Sequence, residues 1–407
     1  MKIGYYIHHT AISAGGIYTY SIGILRQIIK AEEIEEVVVI TTKEIENRLI
    51  EFQNNTKIKV RTIDRNKFSI KIRYSIAYFI YNLTMIFTKN SSANKFWEKI
   101  KNFSTGINPY KKVIESENIS VFHVPVQYSP IYKCRIPVII TMHDLQEYHY
   151  PEFFSTQEKR HRKINNSKAI FDSDHIIVSF NHVRNDIVKF FGIDEEKISV
   201  CSPPFAESWF LSKKETGWDE LSKKYALKKN YLLYPAATWR HKNHLMLIRV
   251  LKSIKDEGLK IELVCTGNKT NYFRNINTSI EEFNLSEIAH FLGIVPEEDL
   301  IGLYKNTSLV VIPTLYEAGS GPLYEAMRYK VPVICSNVTS LPETMIDDEF
   351  LFNPNDQNEI KEKIIKGLFD EGFKERNLEN SKNRMDTLNQ SNYYNSFVKV
   401  YKHLNKD

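Results

Sequence analysis

Apolar and polar positions along this chain fall into a pattern that occurs twice. In the first half, short runs rich in β-branched residues ("KIGYYI", "EVVVIT", "SVFHVP", "PVIITMHD" and "HIIVSF") are separated by stretches with helical periodicity. The second half repeats the arrangement with "NYLLYPA", "KIELVCTG", "IAHFLGIV", "SLVVIP" and "VPVICSN". Continuous apolar runs, rather than alternating ones, predict strands buried on both faces, as in parallel sheets covered by helices. Strands alternating with helices in two successive halves predict two doubly wound α/β domains in tandem, with ligands between facing strand ends. The boundary is expected near "SPPFAESWF". This gives domains 1–203 and 204–385, with 386–407 as a terminal helix returning to the first domain.

One segment of the second half carries candidate chemistry. Ser308 to Pro313 reads as a strand, Pro322 suits the first turn of a helix with Ser320 or Gly321 at its cap, and "KVPVIC" begins the next strand. Glu317 and Glu325 flank the turn Gly319-Ser320-Gly321-Pro322. Glycines before a helix let backbone amides approach a phosphate, and the helix end adds about half a positive charge. A loop built only for phosphate would avoid carboxylates. Vicinal sugar hydroxyls are the natural partners for this pair, at roughly 1.5–3 kcal/mol per charge-assisted hydrogen bond. On spacing alone, a capped helix with a solvated Glu325 fits equally well.

At 407 residues, 42% hydrophobic and 26% charged, the chain is globular in composition and long enough for two cores. No stretch approaches the roughly 20 apolar residues of a membrane-spanning helix, and "MKIGYYIHH" does not read as a secretion signal. Four dispersed cysteines suit reduced thiols in a cytosol. The formal charge of +6 is unevenly spread. Between Lys57 and Lys112, thirteen Lys/Arg face two acids, so the remainder of the chain is net negative. The same window holds "SIAYFIYNLTMIF", Phe96, Trp97 and Phe103. Mixed basic and aromatic residues predict docking on an anionic membrane surface through segment 57–112, in preference to nucleic acid; a solvated rim over a core is the alternative.

Taken together, these residues resemble glycosyltransferase family 4, retaining enzymes of the GT-B fold. The resemblance is carried by "VVIPTLYEAGSGPLYEAMRYKVPVICSNVTSLPE" with its two glutamates, and by "GGIYTYSIGIL", "VIITMHDLQEYHYPEFF", "WRHKNH" and "FLGIVPEEDLIGLY". "SNVTSLPE" and the His-Asp-Leu stretch look most like mannosyltransferases of bacterial O-antigen and capsule assembly. The resemblance implies that Glu317 holds donor-sugar hydroxyls and Glu325 the ribose, with Val295 at the base. The diphosphate would meet the amides of Ser320, Gly321 and Leu323, together with Lys242, Arg240 and Gly16. Two departures stand out. Ala318-Gly319-Ser320-Gly321 replaces the usual Gly-Phe-Gly-Leu, and Ala237 occupies the place of an arginine five residues before Lys242.

A departing diphosphate needs preorganised positive charge. Asp-x-Asp, a common metal signature, occurs at "DSDH" (Asp172 to His175), but directly before a strand and so away from the ligand end; no metal or other cofactor is expected. His123 and His143 follow strands and could contact the sugar or steady oxocarbenium-like charge, and Asp144 could orient the acceptor. The catalytic candidates are thus Glu317, His143, His123 and Lys242. The expected activity is transfer of a hexose, mannose from GDP-mannose foremost, to a lipid-linked glycan by a cytoplasmic enzyme at the inner membrane face. The alternatives are a UDP-sugar-dependent transferase, a GT-B-fold sugar-nucleotide epimerase and a non-catalytic sugar-binding protein.

Overall fold

The computed structural model describes residues 1–7, 16–87, 95–203, 214–228, 230–390 and 392–405. The chain divides into two compact units, Met1–Pro204 with Asn392–Asp407, and Phe205–Ser391. The expected boundary at 203/204 adjoins residues 204–213, which lie outside the described set, as does Gly15 of the first glycine loop. Position 386, expected to open the returning segment, instead lies inside the helix Glu371–Gln390 of the second unit. The segment that returns is the helix Tyr393–Leu404.

In the first unit, strands β1 (Lys2–Tyr6), β2 (Glu36–Thr42), β3 (Ile58–Ile63), β4 (Val121–Val124), β5 (Val138–Met142), β6 (His175–Val178) and β7 (Ile198–Val200) form one sheet. Their order is β3-β2-β1-β4-β5-β6-β7, every neighbouring pair is parallel, and the order reverses between β1 and β4. Strand alternation sorts side chains to two buried layers. Val38, Ile40, Phe122, Val124, Ile140 and Val178 enter one. Val37, Val39, Val121, Ile139 and Ile177 enter the other, against Leu25 of helix Gly16–Ile28 and Phe397 and Tyr401 of helix Tyr393–Leu404. Phe397 and Tyr401 are fully buried, each burial contributing about 1.5–3 kcal/mol, which accounts for the return of the terminal helix to this unit.

The basic window resolves into paired and exposed charges. Glu117, buried at the end of the helix Pro109–Ser116, gathers Lys59 at 2.7 Å and Arg61 at 2.5 Å, and hydrogen bonding from Lys59 holds its carboxyl below the usual range. Lys101 is buried against Asp172 at 2.7 Å, which removes it from the set of surface lysines expected to meet a membrane. Lys67, Lys71, Lys95 and Lys99 are exposed. Along helix Phe68–Phe87, Phe68, Ile72, Ile76 and Phe79 are all exposed, at 77, 39, 46 and 63%. Their spacing of four, four and three residues places them in one stripe. Helix Lys95–Ile107 packs beside it and exposes Phe96 and Phe103, while Trp97 is half-buried against Phe96.

The second unit holds β8 (Tyr231–Pro235), β9 (Glu262–Thr266), β10 (Ala289–Phe291), β11 (Leu309–Ile312), β12 (Val333–Ser336) and β13 (Leu351–Phe352), in the order β10-β9-β8-β11-β12-β13, again parallel throughout. The order reverses between β8 and β11. Loops leaving the carboxyl ends of two strands at such a point diverge to opposite faces and open a crevice for ligands.

Candidate functional site

Apart from Val295, the residues singled out in the second half of the sequence lie on the two chain segments that leave that reversal point. β8 leads into a 3₁₀ turn, Arg240–Lys242, and β11 leads into Pro313–Ser320 ahead of the helix Gly321–Arg328. The two loops are tied together by their backbones. The Leu315 amide donates to the His241 carbonyl at 2.7 Å, and the Asn243 side chain donates to the Pro313 carbonyl at 2.9 Å. The Tyr234 hydroxyl, on β8, donates to the Lys242 carbonyl at 2.9 Å. The loop after β9 presses in from the side. Gly267 has φ of +108°, and a Cβ there would lie 2.8 Å from the Ala236–Ala237 peptide, so only glycine fits.

Within this frame Lys242 Nζ donates to Glu317 Oε2 at 2.6 Å, with side chains only 18 and 12% exposed. Glu317 is held by its backbone. Its amide donates to Thr339 Oγ1 at 2.9 Å, and its carbonyl accepts from Thr339 Oγ1 at 2.6 Å and from Ser340 Oγ at 3.0 Å. Ser340 Oγ also accepts from the Gly319 amide at 2.9 Å, and Gly319 itself takes φ of +121°. These bonds hold the Ala318–Gly321 turn, where the sequence departs from the family pattern.

Helix Gly321–Arg328 begins with Ser320 as its N-cap residue and Pro322 in the first turn. Ser320 is 2% exposed and makes no side-chain cap bond; its Oγ has no hydrogen-bond partner among the described residues. A buried hydroxyl left unpaired at a helix N-terminus marks a place that a ligand oxygen can complete. Leu323 requires a correction. Its amide donates to the Ser320 carbonyl at 3.2 Å, so it closes the first turn of the helix and is not offered to a ligand.

Glu325 sits one helical turn further on. The Tyr304 hydroxyl, buried on helix Glu297–Asn306, donates to Glu325 Oε2 at 2.5 Å. Burial pushes the Glu325 carboxyl up to about 7, and the Tyr304 bond only partly offsets this. Glu325 is thus half-buried and engaged by Tyr304, not the freely solvated cap that spacing alone allowed. Arg240 is exposed at the start of the 3₁₀ turn, and Val295 is half-buried in the loop between β10 and helix Glu297–Asn306.

In the first unit Gly16 is the first residue of helix Gly16–Ile28. His143 follows β5, with Nε2 at 3.0 Å from the Pro125 carbonyl and its ring edge-on to Tyr20. A carbonyl only accepts, so Nε2 carries the proton. Burial lowers the imidazole pKa, which leaves a neutral ring with its lone pair on Nδ1. His123 does not follow a strand but lies within β4, and alternation turns it to the layer covered by the terminal helix. It is fully buried, with Nδ1 at 2.8 Å from the Tyr401 hydroxyl and Nε2 at 3.0 Å from Thr141 Oγ1; desolvation lowers its pKa to about 3. It is a neutral core histidine, and the catalytic role expected for it is withdrawn. Asp144 forms an ion pair with Arg162, which also holds Glu147 at 2.8 Å. That places Asp144 in a structural network beside His143.

The Asp-x-Asp carboxylates are engaged by the protein itself. Asp172 pairs with Lys101, and Asp174 Oδ2 accepts the Val138 amide at 2.7 Å, at the amino end of β6. Among the described residues, no group of three or more His, Cys, Asp and Glu is arranged to hold a metal ion. Sequence reasoning missed Tyr304, Thr339 and Ser340. For Thr339 and Ser340 the signal was available in "TSLPE", a polar pair ahead of a helix start, and Tyr304 closes the stretch "FLGIVPEEDLIGLY", whose resemblance pointed to the base and not to this tyrosine.

Comparison with known proteins bears on what this arrangement serves. Residues 219–384 match Glycosyl transferases group 1, and residues 93–206 match Glycosyltransferase Family 4. Among curated relatives, O-antigen chain mannosyltransferase B of Escherichia coli is 27% identical over 257 residues, which are 63% of this chain and 67% of that protein. O-antigen chain mannosyltransferase RfbU of Salmonella typhimurium is 28% identical over 218 residues, 54% of this chain and 57% of its own length, so the match spans little more than half of that relative. Among solved structures, Anabaena HepE in complex with UDP and glucose superposes with a TM-score of 0.65 at 15% identity, covering 99% of this chain and 100% of that one. The likeness shows the fold: two Rossmann-like domains of the GT-B class.

Proposed function

The chain belongs to the family 4 and group 1 glycosyltransferases, and from that premise we propose that it transfers a hexose from a nucleotide sugar to a glycan acceptor of cell-surface polysaccharide assembly. The observation that carries this reading is the gathering of Glu317, Lys242, Ser320 and Glu325 at the reversal point of the second sheet. Glu325 would take the ribose hydroxyls and Glu317 the hydroxyls of the sugar. Lys242, Arg240 and the amides of Ser320 and Gly321 would meet the diphosphate, supplying charge stabilisation without a metal. In the first unit, His143 offers a neutral acceptor nitrogen to a sugar hydroxyl. The resemblance to retaining enzymes supports same-face transfer with retention, a donor phosphate oxygen helping to deprotonate the acceptor.

Mannose from GDP-mannose is the proposed donor, supported by the two O-antigen mannosyltransferase relatives. Melting the purified protein with GDP and with UDP tests it, since ligand at 100 Kd stabilises by about 2.7 kcal/mol. A shift with GDP alone supports mannose, a shift with UDP alone transfers the proposal to a UDP-hexose, and no shift with either removes the donor site.

The acceptor is proposed to be lipid-linked, with the first unit resting on the inner membrane surface. The support is the exposed stripe Phe68, Ile72, Ile76 and Phe79, flanked by Lys67 and Lys71. Apolar side chains at headgroup depth with lysines beside them suit an anionic bilayer. Each lysine contributes about 1 kcal/mol near such a surface. Lys67→Glu with Lys71→Glu is therefore expected to cut sedimentation with phosphatidylglycerol vesicles by at least tenfold, and to leave behaviour with phosphatidylcholine unchanged. If the wild-type chain ignores anionic vesicles at low salt, the acceptor is a soluble glycan.

A further inference from the structure

Lys242 and Glu317 are both assigned to the donor, yet in this structure they are assigned to each other. We propose that this ion pair is a charge latch that an intact nucleotide sugar opens without loss and a free nucleoside diphosphate does not, so that the site favours substrate over product. The inference rests on the donor-site reading above. Its physical basis is an asymmetry between the partners. Glu317 is held at its backbone, where Thr339 and Ser340 grip its amide and carbonyl and Ser340 also holds the Gly319 amide, and it carries its carboxylate on a short two-carbon stem. Lys242 is held at its backbone too, by the Tyr234 hydroxyl and the Trp239 carbonyl, but reaches Glu317 on a flexible four-carbon stem. The ammonium can therefore swing further than the carboxylate.

A diphosphate at the N-terminus of helix Gly321–Arg328 competes for the Lys242 ammonium. Once the lysine leaves, the Glu317 carboxylate, 12% exposed, has lost its cation. A largely desolvated charge without a partner is costly. An intact donor brings hydroxyls that donate to the vacated carboxylate, whereas the nucleotide left after transfer brings none. Departure of the sugar thus leaves Glu317 drawing Lys242 back, which weakens the grip on the diphosphate and promotes its release. Thr339 and Ser340 act as positioning residues through the backbone of the turn that carries Glu317.

The test is calorimetric titration of the full chain with GDP, UDP and inorganic pyrophosphate, and with GDP-mannose and UDP-glucose as intact donors. It is run on wild type, Glu317→Gln, Lys242→Met and the double variant. Glutamine keeps the size of the side chain, and the Thr339 and Ser340 bonds reach only the backbone of residue 317, so the turn is retained. Glu317→Gln is expected to bind pyrophosphate and the cognate nucleotide at least tenfold more tightly, and the matching nucleotide sugar more weakly. The gain should vanish in the Lys242→Met background, because no lysine remains to be released. Nucleotide affinity that is unchanged or weaker in Glu317→Gln overturns the latch. So does a gain that persists without Lys242, which would be a general field effect of removing a negative charge. Lys242→Met alone reads the underlying site. If it weakens nucleotide binding while Glu317→Gln brings no gain, the donor site stands and the latch falls; if it changes no affinity, the donor-site reading falls as well.

Discussion

Glu325→Gln is expected to make the unliganded protein more stable at pH 8 and, in the same variant, to weaken nucleotide binding by roughly 10–150-fold, the equivalent of about 1.5–3 kcal/mol. Both effects have one origin. Burial lifts the Glu325 carboxyl from its ordinary 4.5 to about 7. Between those values the native state holds a proton that the unfolded chain has released. The stabilising contribution of the protonated group is therefore complete below about 4.5, falls as pH rises, and is lost above about 7. Glutamine is neutral throughout and keeps an oxygen that can accept from Tyr304. The melting-temperature difference between variant and wild type should be small at pH 4.5, grow across the window and level off above pH 7. A ribose diol donates to a carboxylate better than to an amide, so the same substitution forfeits the charge-assisted bonds. For the wild type, nucleotide affinity should rise with pH through about 7, as the carboxylate forms. A pH-independent stability difference would mean that Glu325 is solvated, and nucleotide affinity unchanged by Glu325→Gln would mean that the ribose lies elsewhere.

The sequence revealed the parts of the site that follow from local pattern. The strand, glycine turn and proline-led helix around Glu317 and Glu325 are set by short-range rules, and the structure builds them where they were expected. What escaped depends on contacts between distant residues. His123 looked like a residue beyond a strand end because an apolar run does not state where its ladder stops; β4 continues through Val124, and a single step of alternation separates a crevice from a core. Leu323 looked like an anion ligand because helix N-termini offer free amides, but the first turn tightens onto the Ser320 carbonyl. The Lys242–Glu317 pair joins residues 75 positions apart, and Tyr304 reaches Glu325 across 21. No periodicity reports such pairings. The first arises from the order of strands in the second sheet, which brings the β8 and β11 loops side by side, and the second from the meeting of the helices that precede and follow β11.

The same distinction decides the largest stability effect expected in the first unit. By composition Lys101 is one of thirteen basic residues in a window that reads as a membrane-facing surface. In the fold its ammonium is 2.7 Å from Asp172 Oδ1, with side chains 10 and 4% exposed, and it lies 5.7 Å from the centre of the Tyr81 ring. Lys101→Met keeps the aliphatic bulk and removes the charge, leaving a buried carboxylate without its ion-pair partner and with the Tyr81 hydroxyl and the more distant Lys168 to offset its charge. Breaking such a pair from one side costs about 3–5 kcal/mol. Urea unfolding should show the first unit's transition displaced accordingly, while Lys99→Met, at an exposed position on the same helix, stays within about 0.5 kcal/mol of wild type. Replacing both partners, Lys101→Met with Asp172→Leu, should recover most of the loss, because two apolar groups need no solvation. The pair joins helix Lys95–Ile107 to helix Thr156–Asp172, so Lys101 would act by supporting the surface that Lys67 and Lys71 are proposed to present to lipid, not by meeting lipid itself. Reversing its charge in a vesicle experiment would report unfolding as lost membrane binding. An unfolding midpoint for Lys101→Met equal to that of wild type would return Lys101 to the solvated lysines of that surface.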